Sequence, residues 1–390
     1  MKQVKILALI VIALFALLLV SCIPGTGQPT GGWSGAAVRD GIIYVGSRDG
    51  RVVAINSSTR SQQWDYTITP ATGIYTTPIV DGDLVYVGTY NGIVLALNTS
   101  ARVEDLPFPQ ARYGEWEWYC PIENAKSNAI VADLAMSEDA LYVASSNGRV
   151  YSLDKGSGDE NWKRQDIPVL TENAEKIWNS PVIQGNTLYV STFDGHIYTL
   201  SAETGQLLDW SFEAEAGFAS APVIYEDIIY VGSFDRHLYA ATIGSDVPVW
   251  IFPREKPAGN WFWASPIINE GIVYAGCLDG KLYAIEAKTG EKLWEFDAES
   301  PIVSSPVLID NLLIVGAESG NVYVINPETG VGERIKNREN SDKPTINDQI
   351  RASLCAHEGL VYVRGEDNQL YIVDIGNKEV SQPIPLTVEE

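Results

Sequence analysis

The stretch "GIIYVGSRDGRVVAIN", Gly41 to Asn56, places an Asp-Gly pair between two short apolar runs. Valine, isoleucine and tyrosine are typical of strands, and Asp-Gly suits the positive φ angles of a type I′ turn, so the stretch predicts a β-hairpin. Related hairpins return along the whole chain. Their positions equivalent to Tyr44 are Tyr86, Tyr142, Tyr189, Tyr230, Tyr274, Ile314 and Tyr362. Eight copies at intervals of 40 to 56 residues indicate a repeat architecture in which each unit is one small sheet.

A short strand precedes each hairpin, and in five units it carries a proline. These residues are Pro78, Pro181, Pro222, Pro266 and Pro306. Proline removes a hydrogen-bond donor from the ladder, which is tolerated on an edge strand. The innermost strand of a propeller blade is such an edge, because it faces the central channel. The small neighbours Thr77, Ser180, Ala221, Ser265 and Ser305 suit the crowding there. The sequence therefore predicts an all-β fold, an eight-bladed β-propeller of four-stranded antiparallel blades over residues 33–390.

The first residues have the pattern of a targeting segment. A short basic start is followed by the apolar run Ile6 to Val20, which ends in "LVSC", similar to a bacterial lipobox. We expect residues 1–21 to be a lipoprotein signal peptide, and residues 22–32 to be the lipidated Cys22 and a flexible Gly/Pro/Thr tether. The protein is then extracytoplasmic and lipid-anchored to the bacterial membrane. This is the outer membrane if the host has one, and otherwise the cell surface.

Charge and cysteine content exclude some functions. Fifty acidic residues against 27 basic ones give a net charge of −23, which argues against a nucleic-acid partner. The three cysteines after Cys22 are Cys120, Cys277 and Cys355. They form no adjacent pair and no CxxC motif, and we expect Cys277 and Cys355 to be small buried residues.

A further element, D/E-x-x-T-G-x-x-x-W, closes several units and carries a family resemblance. One copy consists of Glu286, Thr289, Gly290 and Trp294. It resembles the repeat shared by pyrroloquinoline quinone (PQQ) dehydrogenases and their non-enzymatic relatives. Five tryptophans fall in the outermost strand and are expected to pack between blades: Trp64, Trp162, Trp210, Trp250 and Trp294. The pattern predicts no such tryptophan in blades 2, 7 and 8.

Together with the lipobox and the chain length, the repeat resembles that of the BamB-type outer-membrane assembly lipoproteins, a non-enzymatic branch of scaffold proteins. The dehydrogenases of the wider family carry a vicinal disulfide under the cofactor, and this sequence has no adjacent cysteines. The resemblance therefore implies a chain without a cofactor, with PQQ and Ca²⁺ as the alternative.

Candidate partner-binding residues are mainly aromatic and precede the inner strands, adjoin the hairpin turns, or lie in an insertion between residues 105 and 127. They are Trp33, Tyr75, Tyr90, Trp116, Trp118, Tyr119, Trp178, Phe193, Phe218, Phe234, Trp261, Phe262, Trp263 and Arg351. Strand alternation puts the crossings between blades and the hairpin turns on one face of the disc, so we expect these side chains around the channel mouth. Either they form a binding surface, or they plug the channel and pack between blades.

These observations favour a protein-binding or scaffolding module in the cell envelope. The alternative is a PQQ-dependent dehydrogenase, or a propeller with a small-ligand site at the channel mouth. No catalytic motif stands out, so an enzyme is the less favoured reading. His196 and His237 occupy equivalent positions in adjacent blades but have no evident third metal ligand, and a solvated polar rim is the simpler interpretation. The sequence makes no prediction of oligomeric state.

Overall fold

The structure, a computed structural model, describes residues 33–387 except residues 70, 100–115, 122–128, 167–176 and 219. Its regular elements are strands, arranged as eight antiparallel sheets. The predicted signal peptide, Cys22 and the tether lie outside the described residues. In the described part of the chain, no helix has the length and apolarity that a membrane crossing requires.

Each blade is built from consecutive strands. Blade 1 comprises β1 (Ala36–Arg39), β2 (Ile42–Gly46), β3 (Arg51–Asn56) and β4 (Gln62–Thr67), and blade 2 comprises β5 (Ile79–Asp81), β6 (Leu84–Gly88), β7 (Ile93–Asn98) and β8 (Trp116–Pro121). Blade 3 comprises β9 (Ala135–Met136), β10 (Ala140–Ser145), β11 (Arg149–Asp154) and β12 (Glu160–Asp166), and blade 4 comprises β13 (Val182–Gln184), β14 (Thr187–Ser191), β15 (His196–Ser201) and β16 (Leu207–Glu213).

Blade 5 comprises β17 (Val223–Tyr225), β18 (Ile228–Gly232), β19 (Leu238–Thr242) and β20 (Pro248–Phe252), and blade 6 comprises β21 (Ile267–Asn269), β22 (Ile272–Gly276), β23 (Lys281–Glu286) and β24 (Lys292–Asp297). Blade 7 comprises β25 (Val307–Ile309), β26 (Leu312–Gly316), β27 (Val322–Ile325) and β28 (Gly332–Arg334), and blade 8 comprises β29 (Cys355–His357), β30 (Leu360–Arg364), β31 (Gln369–Asp374), β32 (Glu379–Val380) and β33 (Ile384–Pro385). Strand order within each sheet follows the sequence, and β33 adds to β31 beside β32. The predicted eight-bladed propeller is confirmed.

Burial follows the position of a strand within its blade. The second and third strands are covered on both faces by neighbouring blades, so β2 and β3 are buried along most of their length. The fourth strand forms the outer edge and alternates between partly buried and exposed residues, as in β24. The first strand is short and half-buried, because it borders the channel.

The hydrophobic core is divided among the spaces between blades. The described residues form eight clusters, one for each pair of neighbouring blades. One of these clusters joins blade 8 to blade 1, where Tyr362 and Leu370 pack with Val45 and Ile55. The ring is therefore closed by side-chain packing, in the way that a propeller removes long free sheet edges.

The recurrent prolines lie one residue outside the innermost strands, and not within them as the sequence suggested. Pro266, for example, directly precedes β21, and Pro78 directly precedes β5. A proline at this point leaves no backbone N–H to pair, so it helps to limit the inner strand to three residues.

The tryptophans of the outer strands pack between blades, as predicted. The indole Nε1 of Trp250 donates to the Ala287 carbonyl of blade 6 at 2.8 Å, and that of Trp162 donates to the Ala202 carbonyl of blade 4 at 3.0 Å. Each indole thus links its blade to the turn that precedes the outer strand of the next blade.

Candidate functional site

The hairpin turns and the crossings between blades lie on one face of the disc, as predicted. In several blades, an N–H of the hairpin turn donates to a carbonyl in the crossing that leads into the same blade. Tyr90 N donates to Gly73 O at 3.1 Å, and Leu278 N donates to Trp261 O at 2.9 Å. Phe234 N makes the same bond to Gly217 O. These bonds hold the two kinds of loop together, so the side chains that they carry have a fixed backbone frame. We call this surface the mouth face.

The crossings meet around a central cavity of about 130 Å³. Its outer layer consists of residues placed three positions before the recurrent proline site: Trp33, Tyr75, Val131, Trp178, Trp263, Val303 and Arg351. Its inner layer consists of residues one position before that site: Thr77, Asp133, Ser180, Ala221, Ser265, Ser305 and Ser353. An outer layer rich in aromatic rings thus lies above a layer of small polar side chains.

Aromatic rings of the mouth face form two separate clusters. In blades 1 and 2, Trp33 contacts Tyr75 with ring centroids 4.9 Å apart, and Tyr75 contacts Tyr90 at 5.3 Å. Tyr75 is buried beneath the other two rings, which are half-buried.

The second cluster extends over blades 4–6. Phe193 contacts both Trp178 and Phe234, with centroid distances of 5.5 and 5.2 Å. Phe234 in turn contacts Trp261 at 5.0 Å and Trp263 at 5.9 Å. All five rings are half-buried, so each keeps part of its surface accessible while its position is fixed by neighbours. Such rings are suited to recognition, because large rigid side chains lose little entropy on binding.

Phe218 and Phe262 do not belong to this surface. Both are fully buried. Phe262 packs against Phe252 and Tyr283 in the core between blades 5 and 6, and Phe218 packs against Phe212. Their side chains offer no area to a partner. Of the three consecutive aromatic residues at 261–263, the middle one points inward and its neighbours remain at the surface.

The insertion between residues 105 and 127 was predicted to lie on the mouth face, and for its described part, residues 116–121, this prediction was wrong. Residues 116–121 form β8, the outer strand of blade 2, which pairs with β7 so that Trp116 lies opposite Leu97 and Pro121 opposite Ile93. Trp116 and Asn98 therefore lie at the ends of these strands remote from the hairpin turn. The other parts of the insertion, residues 105–115 and 122–127, lie outside the described residues.

Trp118 is the outer-strand tryptophan that the sequence pattern missed in blade 2. It is buried, and its Nε1 donates to Lys155 O of blade 3 at 3.0 Å. Its role in the structure is packing between blades. Tyr119, on the other side of the strand, is 48% exposed at the outer edge of the blade, away from the channel.

Arg351 is tied to its neighbours by two carboxylates. Its guanidinium contacts Glu318 at 2.6 Å and Glu366 at 2.9 Å. These three residues connect the crossing before blade 8 to the hairpin turns of blades 7 and 8. The second insertion, residues 335–349, contacts the same turns, because Ile346 N donates to Gly320 O.

Hydrogen bonds between neighbouring blades join several residues of the inner layer of the cavity. Ala221 N donates to Ser265 Oγ at 3.1 Å, and Ser265 N donates to Ser305 Oγ at 3.1 Å. Each bond joins one blade to the next, which explains the preference for hydroxyl side chains here. Sequence reasoning recognised the small size of these residues but not this role.

Asp133 takes the equivalent place in blade 3. Its Oδ1 accepts a hydrogen bond from Thr77 N of blade 2 at 2.5 Å. Burial in the narrow cavity raises the pKa of Asp133 to about 6, against the lowering effect of the hydrogen bonds from Thr77. Asp133 was not predicted as a site residue, since Leu134 replaces the recurrent proline beside it.

The described residues contain no group of three or more His, Cys, Asp or Glu side chains that could hold a metal ion. The axial cavity of about 130 Å³ is also smaller than the roughly 300–1,000 Å³ of cofactor and ligand pockets. His196 and His237 instead lie beside the aspartates of their own turns, with Nδ1 3.5 Å from Asp194 and 3.3 Å from Asp235. The three cysteines of the described part of the chain are free, and Cys277 is buried.

Comparisons with known proteins agree with the architecture. Two curated relatives are described as outer membrane protein assembly factor BamB. The protein from Legionella pneumophila is 26% identical over 45% of this chain and 42% of its own length, and the one from Shewanella oneidensis is 22% identical over 45% and 41%. The matched region thus spans less than half the length of these relatives. A quinohemoprotein alcohol dehydrogenase from Pseudomonas putida is 26% identical over 24% of this chain and 14% of its own length.

Solved structures share the fold at low sequence identity. The crystal structure of BamB from Moraxella catarrhalis superposes with a TM-score of 0.66 at 19% identity, covering 87% of this chain and 93% of that one. The computationally designed Ika8 protein superposes with a TM-score of 0.68 at 17% identity, covering 89% and 99%. At these identities the likeness shows the fold alone.

Family membership rests on the sequence match over the repeats. The family model PQQ_2, described as outer membrane protein assembly factor BamB, matches residues 24–252, 146–296 and 255–385, which together include nearly all of the propeller. The chain therefore belongs to the BamB family of PQQ-like repeat β-propellers.

Proposed function

We propose that this protein is a lipid-anchored, extracytoplasmic scaffold that binds a protein partner of the cell envelope through its mouth face, in the assembly of outer-membrane proteins. The observation that carries the proposal is the pair of half-buried aromatic clusters on one rigid face of a BamB-family propeller. The names of the relatives supply the process, outer membrane protein assembly.

The mouth face is built to bind without large rearrangement. Backbone hydrogen bonds join Trp261 to the turn of blade 6 and Phe234 to the crossing before blade 5, and the two rings contact each other at 5.0 Å. A surface that is already ordered loses little conformational entropy on association, so less of the free energy of its aromatic contacts is offset by the cost of ordering. Aromatic residues that are partly sheltered by neighbours are also the usual centres of binding energy in protein interfaces.

A protein partner suits this face better than a small molecule does. The two clusters lie on different sectors of the ring, blades 1–2 and blades 4–6, on either side of a cavity of about 130 Å³. A ligand that contacted both clusters would have to extend across the mouth. The area of such a contact is that of a protein interface, whereas the cavity itself holds only a side-chain-sized group.

The proposed anchor is consistent with use of this face near a membrane. Trp33, the first described residue, lines the mouth of the cavity, so the chain enters the propeller there. A flexible tether, as the sequence predicts for residues 22–32, would have a root-mean-square span of roughly 20 Å. Lipidation of Cys22 would therefore keep the mouth face within reach of membrane-embedded partners.

A pull-down from the envelope of the source organism tests the proposal. The bait is the full chain with the double substitution Trp178→Ala and Trp263→Ala, compared with the wild type. A matched control, Leu208→Ala with Leu293→Ala, removes two exposed apolar side chains from the outer edges of blades 4 and 6. We expect the tryptophan variant to lose at least tenfold of the captured partner and the leucine variant to retain it, with both melting cooperatively.

Two outcomes would overturn the proposal. If the tryptophan variant retained every partner, the mouth face would not be the binding surface. Stoichiometric binding of PQQ in the presence of Ca²⁺, together with dye-linked oxidation of an alcohol or sugar, would assign the chain to the enzymatic branch instead.

A further inference from the structure

A cleft of about 1050 Å³ lies between blades 5 and 6 and shares no lining residue with the axial cavity. Its lining includes Asp279 in the hairpin turn of blade 6 and Thr289 in the turn before β24, so it extends from the mouth face towards the opposite face. The volume lies at the upper end of the roughly 300–1,000 Å³ of ligand pockets. Leu293, the exposed control residue of β24, does not line it. We call this space the side cleft.

Five residues that are extra to the repeat contribute to one side of the cleft. In blade 6, the residue directly after the outer strand, Ala298, donates its N–H to the carbonyl of the turn residue Gly280. In blade 5 the equivalent bond runs from Ala258 N to Arg236 O at 3.1 Å, although five residues separate Ala258 from the end of β20. Residues 253–257, "PREKP", are therefore an insertion, and all five line the cleft.

The insertion is held against blade 6. Arg254 Nη2 donates to Thr289 O at 2.7 Å. Pro253 and Pro257 stand at its two ends, and each proline ring restricts the backbone angle φ. A short segment of limited freedom on a rigid scaffold is a common place for a binding site.

The side cleft is basic in a chain that is otherwise acidic. Five basic and four acidic residues line it, whereas the whole chain has 27 basic and 50 acidic residues. Two of the four carboxylates are engaged within the cleft. Glu295 pairs with Lys281 and Lys292 at 2.5 and 2.6 Å, and Asp279 accepts a hydrogen bond from Tyr283 Oη at 2.8 Å.

The other three cations are not engaged by carboxylates. Arg236, Arg254 and Lys256 are exposed and make no ion pair with any carboxylate of the described residues. Glu255 and Glu291, the remaining acidic residues of the lining, are also exposed. The positive charges come from the hairpin turn of blade 5 and from the insertion, so they are distributed along the cleft.

Arg236 occupies a backbone position that suits glycine. Its φ is +72°, a conformation that residues with a side chain rarely adopt. Strain of this kind is concentrated at functional sites, so the arginine at this turn is a sign that its side chain is used. In six other blades the equivalent residue is a glycine: Gly50, Gly92, Gly148, Gly195, Gly280 and Gly320.

The lining favours a chain with carboxylates and apolar groups over other anions. More of the accessible lining is apolar than polar, which does not suit inorganic phosphate. The cations also do not converge on one point, because Arg236 belongs to the turn of blade 5 whereas Arg254 is held at Thr289 of blade 6. An anionic membrane would repel a chain with a net charge of −23. An extended peptide meets separated cations in turn, and β24 beside it is roughly 20 Å long.

We propose that the side cleft binds an extended acidic segment of a protein partner. Carboxylates of the segment pair with Arg236 at the mouth face and with Arg254 and Lys256 on the insertion. Arg236 follows Phe234 by two residues, so the cleft begins beside the aromatic cluster of blades 4–6. That the segment belongs to the partner of the mouth face rests on the proposed function, but the chemistry of the cleft does not.

Fluorescence anisotropy tests the site without the partner. The probe is a tetramethylrhodamine-labelled peptide of sequence EAEAEA, added to the full chain in 50 mM NaCl, and the matched probe is QAQAQA. We expect saturable binding of the acidic peptide at micromolar concentration and at least tenfold weaker binding of the neutral one. Because salt screens exposed charges, the affinity for EAEAEA should fall about fivefold or more in 500 mM NaCl.

Variants assign the binding to the cleft. Arg236→Gly removes one cation and restores the glycine of the repeat, so we expect at least fivefold weaker binding without loss of stability. Arg254→Gln with Lys256→Gln should weaken binding at least tenfold. Arg60→Gly is the matched control, because Arg60 is an exposed arginine of blade 1 with a φ of +59° and does not line the cleft. It should leave affinity unchanged.

Three results would overturn the site. The first is equal binding of the two peptides, and the second is undiminished binding by both cleft variants. The third is an anion of another class: displacement of EAEAEA by an equal concentration of inorganic phosphate, or binding to phosphatidylglycerol vesicles that the cleft variants lose.

The outcome is separable from that of the scaffold proposal. An overturned cleft, together with a partner captured through Trp178 and Trp263, would leave the scaffold standing. Peptide binding that depends on Arg236, without any partner captured through the two tryptophans, would support the cleft and contradict the scaffold.

Discussion

Gly290 lies against the indole of Trp250 from the preceding blade, so closely that a Cβ at position 290 would be 2.6 Å from Trp250 Cγ. Gly290 also has a φ of +72°, which side chains rarely adopt. The same close approach joins Gly158 to Trp118 and Gly205 to Trp162. The T-G-x-x-x-W element thus provides a packing contact between blades, in which the glycine of one blade lies against the tryptophan ring of the blade before it.

Substitution of Gly290 by alanine should destabilise the protein more than substitution of Gly271 in the same blade. Gly271 has a similar φ of +77° but nothing within 4 Å of its added Cβ. The backbone cost of about 1–2 kcal/mol is common to both changes, and only Gly290→Ala adds a steric cost of about 1–3 kcal/mol. Chemical denaturation measures the difference. Equal losses would mean that the contact with Trp250 is not tight.

Tyr230 and Trp250 should be coupled energetically, because both donate to the carbonyl of Ala287. Tyr230 Oη lies 3.1 Å and Trp250 Nε1 2.8 Å from this oxygen, and Ala287 is fully buried. Either Tyr230→Phe or Trp250→Phe leaves one donor. The double variant leaves none, so its loss of stability should exceed the sum of the single losses by about 1–2 kcal/mol.

A double-mutant cycle from urea denaturation gives this coupling and cancels the change in ring size. Additivity within about 0.5 kcal/mol would show that the carbonyl does not depend on the two donors.

Asp133→Asn should stabilise the protein at pH 8 and have little effect near pH 4. The pKa of Asp133 is raised in the folded state to about 6, so the folded protein holds this proton more tightly than the unfolded chain does. The stability associated with the protonated carboxyl is complete below about pH 4 and is lost as the pH rises through about 6. This difference in pKa between the folded and unfolded chain corresponds to at most roughly 3 kcal/mol of stability, because the cavity contacts water.

Unfolding free energies at pH 4.5 and pH 8 test this expectation, with Asp209→Asn as an exposed control. An asparagine variant that is less stable than the wild type at pH 8 would contradict it.

Phe262 and Trp261 should differ sharply when replaced by alanine, although they are adjacent. Phe262 is fully buried in the core between blades 5 and 6, so Phe262→Ala should cost about 3–5 kcal/mol. Trp261 is half-buried at the mouth face, so Trp261→Ala should cost much less stability and should instead weaken partner binding. Thermal unfolding and pull-down on the same samples separate the two effects; a large loss of stability for Trp261→Ala would place that ring in the core.

The propeller could be predicted from the sequence because its eight similar hairpins each form the same kind of small sheet. The alternating direction of successive strands also predicted which loops share a face, and hydrogen bonds between turns and crossings, such as Phe234 N to Gly217 O, confirm it. Trp118 was missed because the long connection between Asn98 and Trp116 interrupts the spacing by which the other tryptophans were recognised.

Side-chain direction in the crossings could not be predicted in the same way. The segment 261–263 lies outside any strand, so no two-residue alternation was available to show that Phe262 turns inward. The ion pairs of Arg351 with Glu318 and Glu366 join residues 33 and 15 positions apart. They follow from the closing of the ring and not from any local pattern.

Site-specific photo-crosslinking in the source cell tests the central claim, that the mouth face contacts an envelope protein, most directly. Benzoylphenylalanine would replace Trp261 or Tyr90 on the mouth face and, as controls, Leu208 or Leu293 on the outer edges of blades 4 and 6. We predict that irradiation yields covalent adducts with the same envelope protein from positions 261 and 90, and none from 208 and 293. Adducts from the outer-edge positions alone would contradict the account.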